Sequence, residues 1–439
     1  MADNKLRFDT LKVRGGYDSE RHNYAVSVPI YQTAGFDFGN TARGAALFSL
    51  EEQGYLYTRV GNPTVEVLEQ RVAALDGASG AVALASGMAA VSYTLLNVAE
   101  GGGRILTTPH LYGGTVDGLK KLFPKLGITI DVSDQFDFPE ALEQEILPDT
   151  KAIFVESISN PNGVVADIEG LAQVAHRHGI PLIVDNTFAT PYLLNPIRYG
   201  ADIVIYSATK ALNGHGNAIA GLVLEQGGFK WDSGRFPQFE EPYYTLRDAT
   251  GRERTYLEAL PDFPFTGRIR LNYLNYFGAA LSPFDAYLVL LGLETLSERV
   301  GKQVGTAEKL VRYLESHDRV AWVKHPAAKG SPYRQLADRY LPRGAGAIFT
   351  FGLKATVEEA ESFIDATRVF SYHANVGDSR SLIINPAKTT HSELTPAEQR
   401  RGDIQAETIR LSIGLEDPDD LIEDLEQAFA AVFPVSVPL

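Results

Sequence analysis

The feature that most constrains the fold is a regular alternation, in the middle of the chain, between short apolar runs and longer amphipathic stretches. The amphipathic stretches at 139–146 and 171–178 have the periodicity of helices that cover a sheet. Runs that are almost entirely Val, Ile and Leu are typical of strands buried on both faces. The alternation therefore predicts βαβ units and a mostly parallel sheet. The predicted strands are 81–84, 104–107, 128–132, 152–155, 182–184, 203–206 and 222–224.

The pattern divides the 439 residues into three parts, and a chain of this length exceeds what a single core usually accommodates. Residues 1–65 are an irregular N-terminal arm. Residues 66–280 contain the predicted sheet and an insertion at 227–278 that is rich in aromatic residues, Pro, Gly and Arg. A long helical pattern from Ser282 through Leu296 opens the C-terminal part, 281–439. Strands at 347–352, 381–384 and 408–413, with helices at 357–366 and 419–431, predict a smaller α/β unit there.

Composition excludes several functional classes. The formal net charge is −15, from 40 basic and 55 acidic residues, and no Lys/Arg-rich run is present, so we expect no nucleic-acid partner. Cysteine is absent, which rules out disulfides, thiolate metal ligands and a cysteine nucleophile. Residues 80–99 carry no charge, but the Ser86-Gly87 turn within them favours a strand, a turn and a buried helix over a membrane span. The start of the chain has no apolar segment like a signal peptide, so we expect a cytoplasmic protein without a membrane partner.

Lys210 is the most informative single residue. It follows a predicted strand and has the hydroxyls of Ser207 and Thr209 beside it. A lysine amine can hold an aldehyde cofactor as a Schiff base. Asp185 ends the preceding predicted strand, and open α/β sheets bind ligands at the carboxyl ends of their strands. A carboxylate there can pair with a protonated pyridine nitrogen. The alternatives are a solvent-exposed lysine and an aspartate that caps a turn.

Ser86-Gly87 lies where a predicted strand ends and a helix begins. Backbone N–H groups at a helix N-terminus, made approachable by glycine, can bind a phosphate group. A structural turn is the alternative for this pair taken alone. Together with Lys210 and Asp185, it completes the requirements of a pyridoxal phosphate site. No metal site is predicted.

An ordered set of motifs resembles the Cys/Met-metabolism family of pyridoxal-phosphate enzymes over nearly the whole chain. Within that family, residues 35–57 and the segment ending at 278–283 look most like the O-acetylhomoserine sulfhydrylase branch. Shorter cystathionine-handling relatives generally lack the mid-chain insertion. The motifs are YTRVGNPT at 57–64, SGMAA at 86–90, YGGT at 112–115, NP at 160–161, DNTF at 185–188 and SATK at 207–210.

The resemblance implies a pyridoxal-phosphate transferase fold, with a large sheet domain and a smaller C-terminal α/β domain, and a role for each motif. It implies that Lys210 forms the Schiff base and that Asp185 pairs with the ring nitrogen. Tyr112 is implied to stack on the ring and to move protons near the leaving group, and Asn160 to contact the ring hydroxyl. The phosphate contacts implied are Ser86, Gly87, Met88, Ser207 and Thr209, with Tyr57 and Arg59 reaching the site of a neighbouring subunit. The implied substrate contacts are Arg410, Tyr57 and Ser381.

The reaction implied is γ-replacement on O-acetylhomoserine with sulfide or a thiol, giving homocysteine or methionine and acetate. The oligomer implied is a homo-oligomer with shared sites, either a dimer or a homotetramer built from such dimers. A γ-lyase acting on methionine or cystathionine, a cystathionine γ-synthase, and a non-catalytic protein on the same scaffold are the alternatives.

Two departures from the family pattern concern the segment 385–391. Asn385 and Lys388 replace residues that are often His and Ser in relatives, and the added charge of Lys388 is expected to affect which acyl group or nucleophile is preferred. His215 and His391 are secondary candidates for acid or base.

Overall fold

The strands form one large and two smaller sheets in a computed structural model that describes residues 6–248 and 250–433. The seven-stranded sheet has the order β1-β7-β6-β5-β4-β2-β3, and the four-stranded sheet has the order β10-β11-β13-β12. The strands are β1 (Gly80–Leu84), β2 (Gly103–Thr107), β3 (Ile128–Val132), β4 (Thr150–Glu156), β5 (Leu182–Asp185), β6 (Ile203–Ser207), β7 (Gly221–Glu225), β8 (Tyr243–Arg247), β9 (Glu253–Arg254), β10 (Val320–Lys324), β11 (Ile348–Leu353), β12 (Leu382–Ile384) and β13 (Ile409–Ser412).

The predicted α/β class with a mostly parallel large sheet is confirmed. Strands β2 to β6 pair in parallel, and all seven predicted strands are present. Strand β7 is the exception, because it lies antiparallel between β1 and β6. The smaller sheet is antiparallel throughout, and its first strand, β10, was not predicted from the sequence.

Helices cover both faces of the large sheet and flank the smaller one. They are α1 (Phe8–Arg14), α2 (Thr41–Phe48), α3 (Pro63–Asp76), α4 (Gly87–Val98), α5 (Gly113–Lys121), α6 (Pro139–Leu142), α7 (Ile168–Arg177), α8 (Thr190–Leu193), α9 (Pro237–Glu240), α10 (Tyr256–Ala259), α11 (Pro264–Arg268), α12 (Asn275–Phe277), α13 (Pro283–Glu294), α14 (Leu296–Ser316), α15 (Arg334–Tyr340), α16 (Val357–Ala366), α17 (Pro396–Arg401) and α18 (Pro418–Val432). Within the described ranges, none of these helices has the length and apolar character needed to cross a membrane.

The helix predicted from Ser282 through Leu296 corresponds to α13, and the helix α14 that follows it was not predicted from the sequence. Helix α13 ends at Glu294. The backbone of Thr295, with a φ of −116° and a ψ of 19°, is not helical, and α14 begins at Leu296.

Alternate residues of the central strands enter two separate cores. Leu182 and Val184 pack in the cluster that includes Leu293 of α13, whereas Ile183 packs on the other face with Leu95 of α4. Both faces of β5 are therefore buried, which explains its continuous apolar sequence.

The insertion packs on the large sheet through buried polar contacts. The carboxylate of Glu225, at the end of β7, accepts hydrogen bonds from the backbone N–H groups of Phe265 at 3.2 Å and Thr266 at 2.9 Å. Next to this contact, Arg268 forms an ion pair with Glu100 at 2.7 Å and packs over aromatic rings that include Tyr273. Glu225 thus joins the sheet to the first turn of α11.

We expect Glu225→Ala to lower the free energy of unfolding by about 2 to 4 kcal/mol, because it leaves two buried N–H groups without acceptors. Glu225→Gln should lose less, since its amide oxygen can still accept one of the bonds. Chemical denaturation of both variants, with the exposed Glu241→Ala as control, measures the difference. Equal stability of the Glu225 and Glu241 alanine variants would show that the contact does not hold the insertion.

Candidate active site

A cavity of about 280 Å³ lies at the carboxyl ends of the parallel strands. Its wall combines residues from the strand-end loops of the large sheet with Asn375 and Arg410 from the C-terminal part of the chain. It contains most of the residues that the sequence predicted for the cofactor and substrate. These are Ser86, Gly87, Met88, Tyr112, Asn160, Asp185, Ser207, Thr209, Lys210 and Arg410.

The amine of Lys210 is buried among polar and charged groups. It donates a hydrogen bond to Oδ1 of Asn375 at 2.8 Å. Burial, followed by the nearby charge of Arg410, lowers the pKa of Lys210 to about 8, because both disfavour the charged amine. A substantial fraction of the amine is therefore neutral near physiological pH.

The backbone that follows Lys210 is held by a buried arginine from α14. The guanidinium of Arg299 donates to the carbonyl oxygens of Ala211 at 3.0 Å and Leu212 at 3.4 Å. It also donates to the carbonyl of Gly292 in α13 at 2.7 Å. These contacts hold the main chain directly after the lysine in place.

Asp185 and Glu156 lie side by side at the ends of β5 and β4, where they are paired in register. Oδ1 of Asp185 accepts hydrogen bonds from the backbone N–H of Thr187 at 3.0 Å and from its hydroxyl at 2.5 Å. Burial raises the pKa of Asp185. A cation bound against this carboxylate would be favourable, because it would offset the cost of burying the charge.

The Ser86-Gly87 turn forms a narrow cradle at the N-terminus of α4. Ser86 caps the helix, its hydroxyl accepting a hydrogen bond from the N–H of Ala89 at 3.1 Å. A Cβ atom added to Gly87 would lie 2.6 Å from Cβ of Ser207, so only glycine fits there. The free N–H groups and dipole of α4 favour an anion at this position. The cradle therefore fits the phosphate of the predicted cofactor.

Arg410 is a buried cation held by neutral groups. It donates to Oδ1 of Asn160 at 2.9 Å and to the carbonyl oxygen of Asn375 at 3.1 Å. Its Nε is buried without a hydrogen-bond partner, and no carboxylate of the described residues forms an ion pair with it. Burial lowers the pKa of Arg410 to about 10. This arrangement suits a carboxylate ligand, which would supply the missing negative charge.

Several predicted residues lie outside the cavity wall. Tyr57 and Arg59 are exposed, with the guanidinium 5.1 Å from the centre of the Tyr57 ring. In the described ranges of the chain, Arg59 forms neither a hydrogen bond nor an ion pair. Their predicted contact is with a neighbouring subunit, and it stays a prediction.

Ser381, which was predicted to contact the substrate, is not part of the cavity wall. Its side chain is fully buried, donates a hydrogen bond to Glu416 at 2.8 Å and accepts one from the N–H of Gly414 at 2.8 Å. Ser381 therefore supports the loop after β13, and its predicted contact with the substrate stays a prediction. The segment that faces the cavity instead is 374–376.

The secondary candidates also separate in the structure. Lys388 forms an ion pair with Glu361 and does not line the cavity. Its expected influence on acyl preference is therefore not supported by a direct contact with the cavity. His215 is exposed in its turn. His391, in contrast, is buried with its ring centre 6.5 Å from that of Tyr112. Burial and Arg410 lower the pKa of His391 to about 4, so it is neutral at physiological pH.

Among the cavity residues that sequence reasoning missed are Glu156 and Asn375, whose side chains form hydrogen bonds within the site. Glu156 follows the predicted strand 152–155 by one residue, and a carboxylate at that place is the same signal that identified Asp185. No comparable signal marks Asn375, because it lies on an irregular segment 165 positions from Lys210.

A family model described as Cys/Met metabolism PLP-dependent enzyme matches residues 9–430. The chain belongs to this family. Pyridoxal phosphate dependence is therefore a property of the chain, and the cavity just described fits the cofactor in its lysine, its carboxylate and its anion cradle.

Several members of the family align with this chain over almost its full length. O-acetyl-L-homoserine sulfhydrylase 1 of Thermus thermophilus is 42% identical over 429 residues, which are 97% of this chain and 100% of the relative. A sulfhydrylase of Gibberella moniliformis, FUB7, is 42% identical over 97% of this chain and 98% of its own length. The crystal structure of a putative O-acetylhomoserine (thiol)-lyase from Campylobacter jejuni superposes with a TM-score of 0.91 at 39% identity, covering 96% of this chain and 99% of that one. That structure carries a pyridoxyl-lysine monophosphate. The predicted transferase fold is confirmed.

We expect the apoprotein to react with pyridoxal phosphate at Lys210 with a pH midpoint near 8. Below this pH the amine is protonated and cannot attack the aldehyde; above it the amine is neutral. Borohydride trapping followed by mass spectrometry of the Lys210 peptide measures the midpoint, with labelling at the exposed Lys125 as internal reference. Arg410→Met should move the midpoint upward, because it removes a nearby positive charge. A midpoint unaffected by this substitution would contradict the assigned cause.

Proposed function

We propose that the chain catalyses γ-replacement on O-acetylhomoserine, with sulfide or a thiol taking the place of acetate at Cγ. Sulfide gives homocysteine and acetate, and methanethiol gives methionine and acetate. The observation that carries this proposal is the full-length similarity to O-acetylhomoserine sulfhydrylases. The cavity that combines Lys210, Asp185 and Arg410 supports it.

Arg410 is the residue we assign to the substrate α-carboxylate. It is buried and without an acidic partner in the described part of the chain, so a carboxylate would replace a missing counter-charge and not compete with one. Its bond to Asn160 orients the guanidinium. A planar guanidinium can bind both oxygens of a carboxylate, which fixes the amino acid in one orientation.

Lys210 is the residue we assign to proton transfer at the substrate carbons. When bound, pyridoxal phosphate supplies an aldehyde for the substrate amino group and a ring that accepts electrons from Cα. The lowered pKa of Lys210 lets its amine take up and return protons near neutral pH, as a general acid and base must. Asn375 provides the amine with a hydrogen-bond acceptor between transfers.

Tyr112 is the residue we assign to the leaving-group side. Burial raises the pKa of Tyr112, so its phenol stays protonated and can donate to the departing acetate. Its ring is the candidate for stacking on the cofactor, with Asn160 at the ring hydroxyl and Asp185 at the ring nitrogen. The proposed phosphate contacts are Ser86, Gly87, Met88, Ser207 and Thr209, together with the N-terminus of α4.

We also propose that residues 1–65 are an arm that completes the site of a neighbouring subunit, with 66–280 as the cofactor-binding domain and 281–439 as the C-terminal domain. Arg59, exposed and without a partner in the described ranges, would reach the phosphate of that neighbour, and Tyr57 would lie beside it. Val26 on the same arm is 95% exposed, as expected of a surface that another subunit covers. Two such dimers would form the tetramer.

A substrate panel tests the reaction. We expect homocysteine from O-acetylhomoserine only when sulfide is present, and slower turnover of O-succinyl- and O-phosphohomoserine. Product analysis with and without sulfide separates replacement from elimination. Release of 2-oxobutyrate at an equal rate in both conditions would identify a γ-lyase, and use of cysteine to give cystathionine would identify a cystathionine γ-synthase.

A complementation experiment tests the shared site. Arg59→Ala should weaken cofactor retention, and Lys210→Ala should abolish activity. If the sites are shared, mixing and refolding the two variants together restores part of the activity, because hybrid dimers contain one site with both native residues. Dialysis against hydroxylamine, followed by absorbance, measures retention. Absence of any recovery in mixed samples, with a normal dimer by sedimentation, would place Arg59 in its own subunit's site or in none.

A further inference from the structure

Glu156 is a buried carboxylate at the centre of the site that the reaction described above does not use. It ends β4, lines the cavity and is paired in strand register with Asp185. Only 9% of the residue is exposed. In the described portion of the chain, neither carboxylate forms an ion pair. Two neighbouring acids without a cation are costly to bury, so a compensating interaction is required.

The compensation for Glu156 comes from two backbone N–H groups on separate loops. One carboxylate oxygen accepts a hydrogen bond from the N–H of Tyr112 at 2.6 Å, and the other accepts one from the N–H of Asn160 at 2.9 Å. Tyr112 begins α5 after β2, and Asn160 follows β4. A single side chain thus ties together the two loops whose side chains face the cofactor ring in the proposed site.

The two bonds need two acceptor oxygens at fixed positions, which a carboxyl group provides. Both partners are donors, so each needs an acceptor oxygen. A glutamine has one such oxygen, and its NH₂ group would face the other N–H. An aspartate keeps both oxygens and the charge but is shorter by one methylene. Burial and the Asp185 carboxylate raise the pKa of Glu156, whereas the two N–H bonds favour its charged form. The titratable and charged groups around it in the cavity are Tyr112, Asp185, Lys210 and Arg410, with His391 behind Tyr112.

We propose that Glu156 is a positioning residue for the cofactor, which fixes Tyr112 and Asn160 against the ring and, once the cationic ring is bound, adds a second negative charge beside Asp185. This inference rests on the proposed cofactor arrangement, but not on which nucleophile or acyl group the enzyme uses. Glu156 does not touch the reacting carbons in this role. It acts by holding the two loops in place and by making the electrostatic potential at the cofactor ring more negative.

The positioning of the two loops and the negative charge beside the ring can be separated by two substitutions. Glu156→Gln loses one hydrogen bond and the charge, whereas Glu156→Asp keeps the charge but misplaces the oxygens. We expect both variants to bind pyridoxal phosphate roughly ten- to hundred-fold more weakly, the range for loss of a charge-assisted hydrogen bond. Only Glu156→Gln should lower the pH midpoint of the visible absorption change of the bound cofactor, because less negative charge then stabilises its protonated form.

The experiment is a titration of the apoproteins with pyridoxal phosphate, followed by a pH titration of the bound cofactor by absorbance. The exposed Glu145→Gln is the matched control, and the melting temperatures of the apoproteins show whether each variant is folded. Weaker binding by both Glu156 variants, with a midpoint shift confined to the glutamine, supports the role. Native affinity and an unchanged midpoint in Glu156→Gln would overturn it, as would an equal midpoint shift in both variants. Failure of the wild-type protein to bind the cofactor would overturn the proposed function instead.

Discussion

The hydrogen-bond register between the parallel strands β4, β5 and β6 is the constraint on which the site depends. It aligns Glu156 with Asp185 and Asp185 with Ile205, so that β6 delivers Ser207 and then Lys210 to the same edge of the sheet. Side chains alternate between the faces of a strand, and a slip of one residue would turn each carboxylate to the opposite face. The apolar residues on both faces of β5 prevent such a slip, because they fit two different cores. The packing of apolar side chains along β5 thus determines where the carboxylates of the site lie.

The edge of the sheet carries both signs of charge, yet its charged groups are held mainly by neutral partners. Lys210 bonds to an amide oxygen, Arg410 to an amide and a carbonyl, and Glu156 to two backbone N–H groups. Such an arrangement leaves each charge available to a ligand, whereas direct ion pairs would have to be broken first. A ligand with a cationic ring, an anionic phosphate and a carboxylate complements it at three separate points.

The sequence predicts the large sheet well, since strands buried on both faces have a distinctive apolar pattern, and it predicts Lys210 and Asp185 from their places at strand ends. It fails where the information lies in tertiary contacts. It does not predict helix α14, which follows α13 across Thr295, and it does not predict the bond from Ser381 to Glu416. Asn375 reaches Lys210 only because the C-terminal part of the chain folds over the sheet.

The contacts of Arg299 have a consequence for how the lysine works. Because the guanidinium holds the carbonyls of Ala211 and Leu212, the Cα of Lys210 acts as a fixed pivot. The positions that the amine can reach are then limited to those allowed by rotation of its four-carbon side chain. Each group that the amine contacts, whether Asn375, the cofactor or a substrate carbon, must therefore lie within reach of this side chain from one fixed Cα position. This limited reach constrains the positions of the substrate atoms near the amino group. It places no constraint on the atoms at the far end of the substrate, which can differ between substrates.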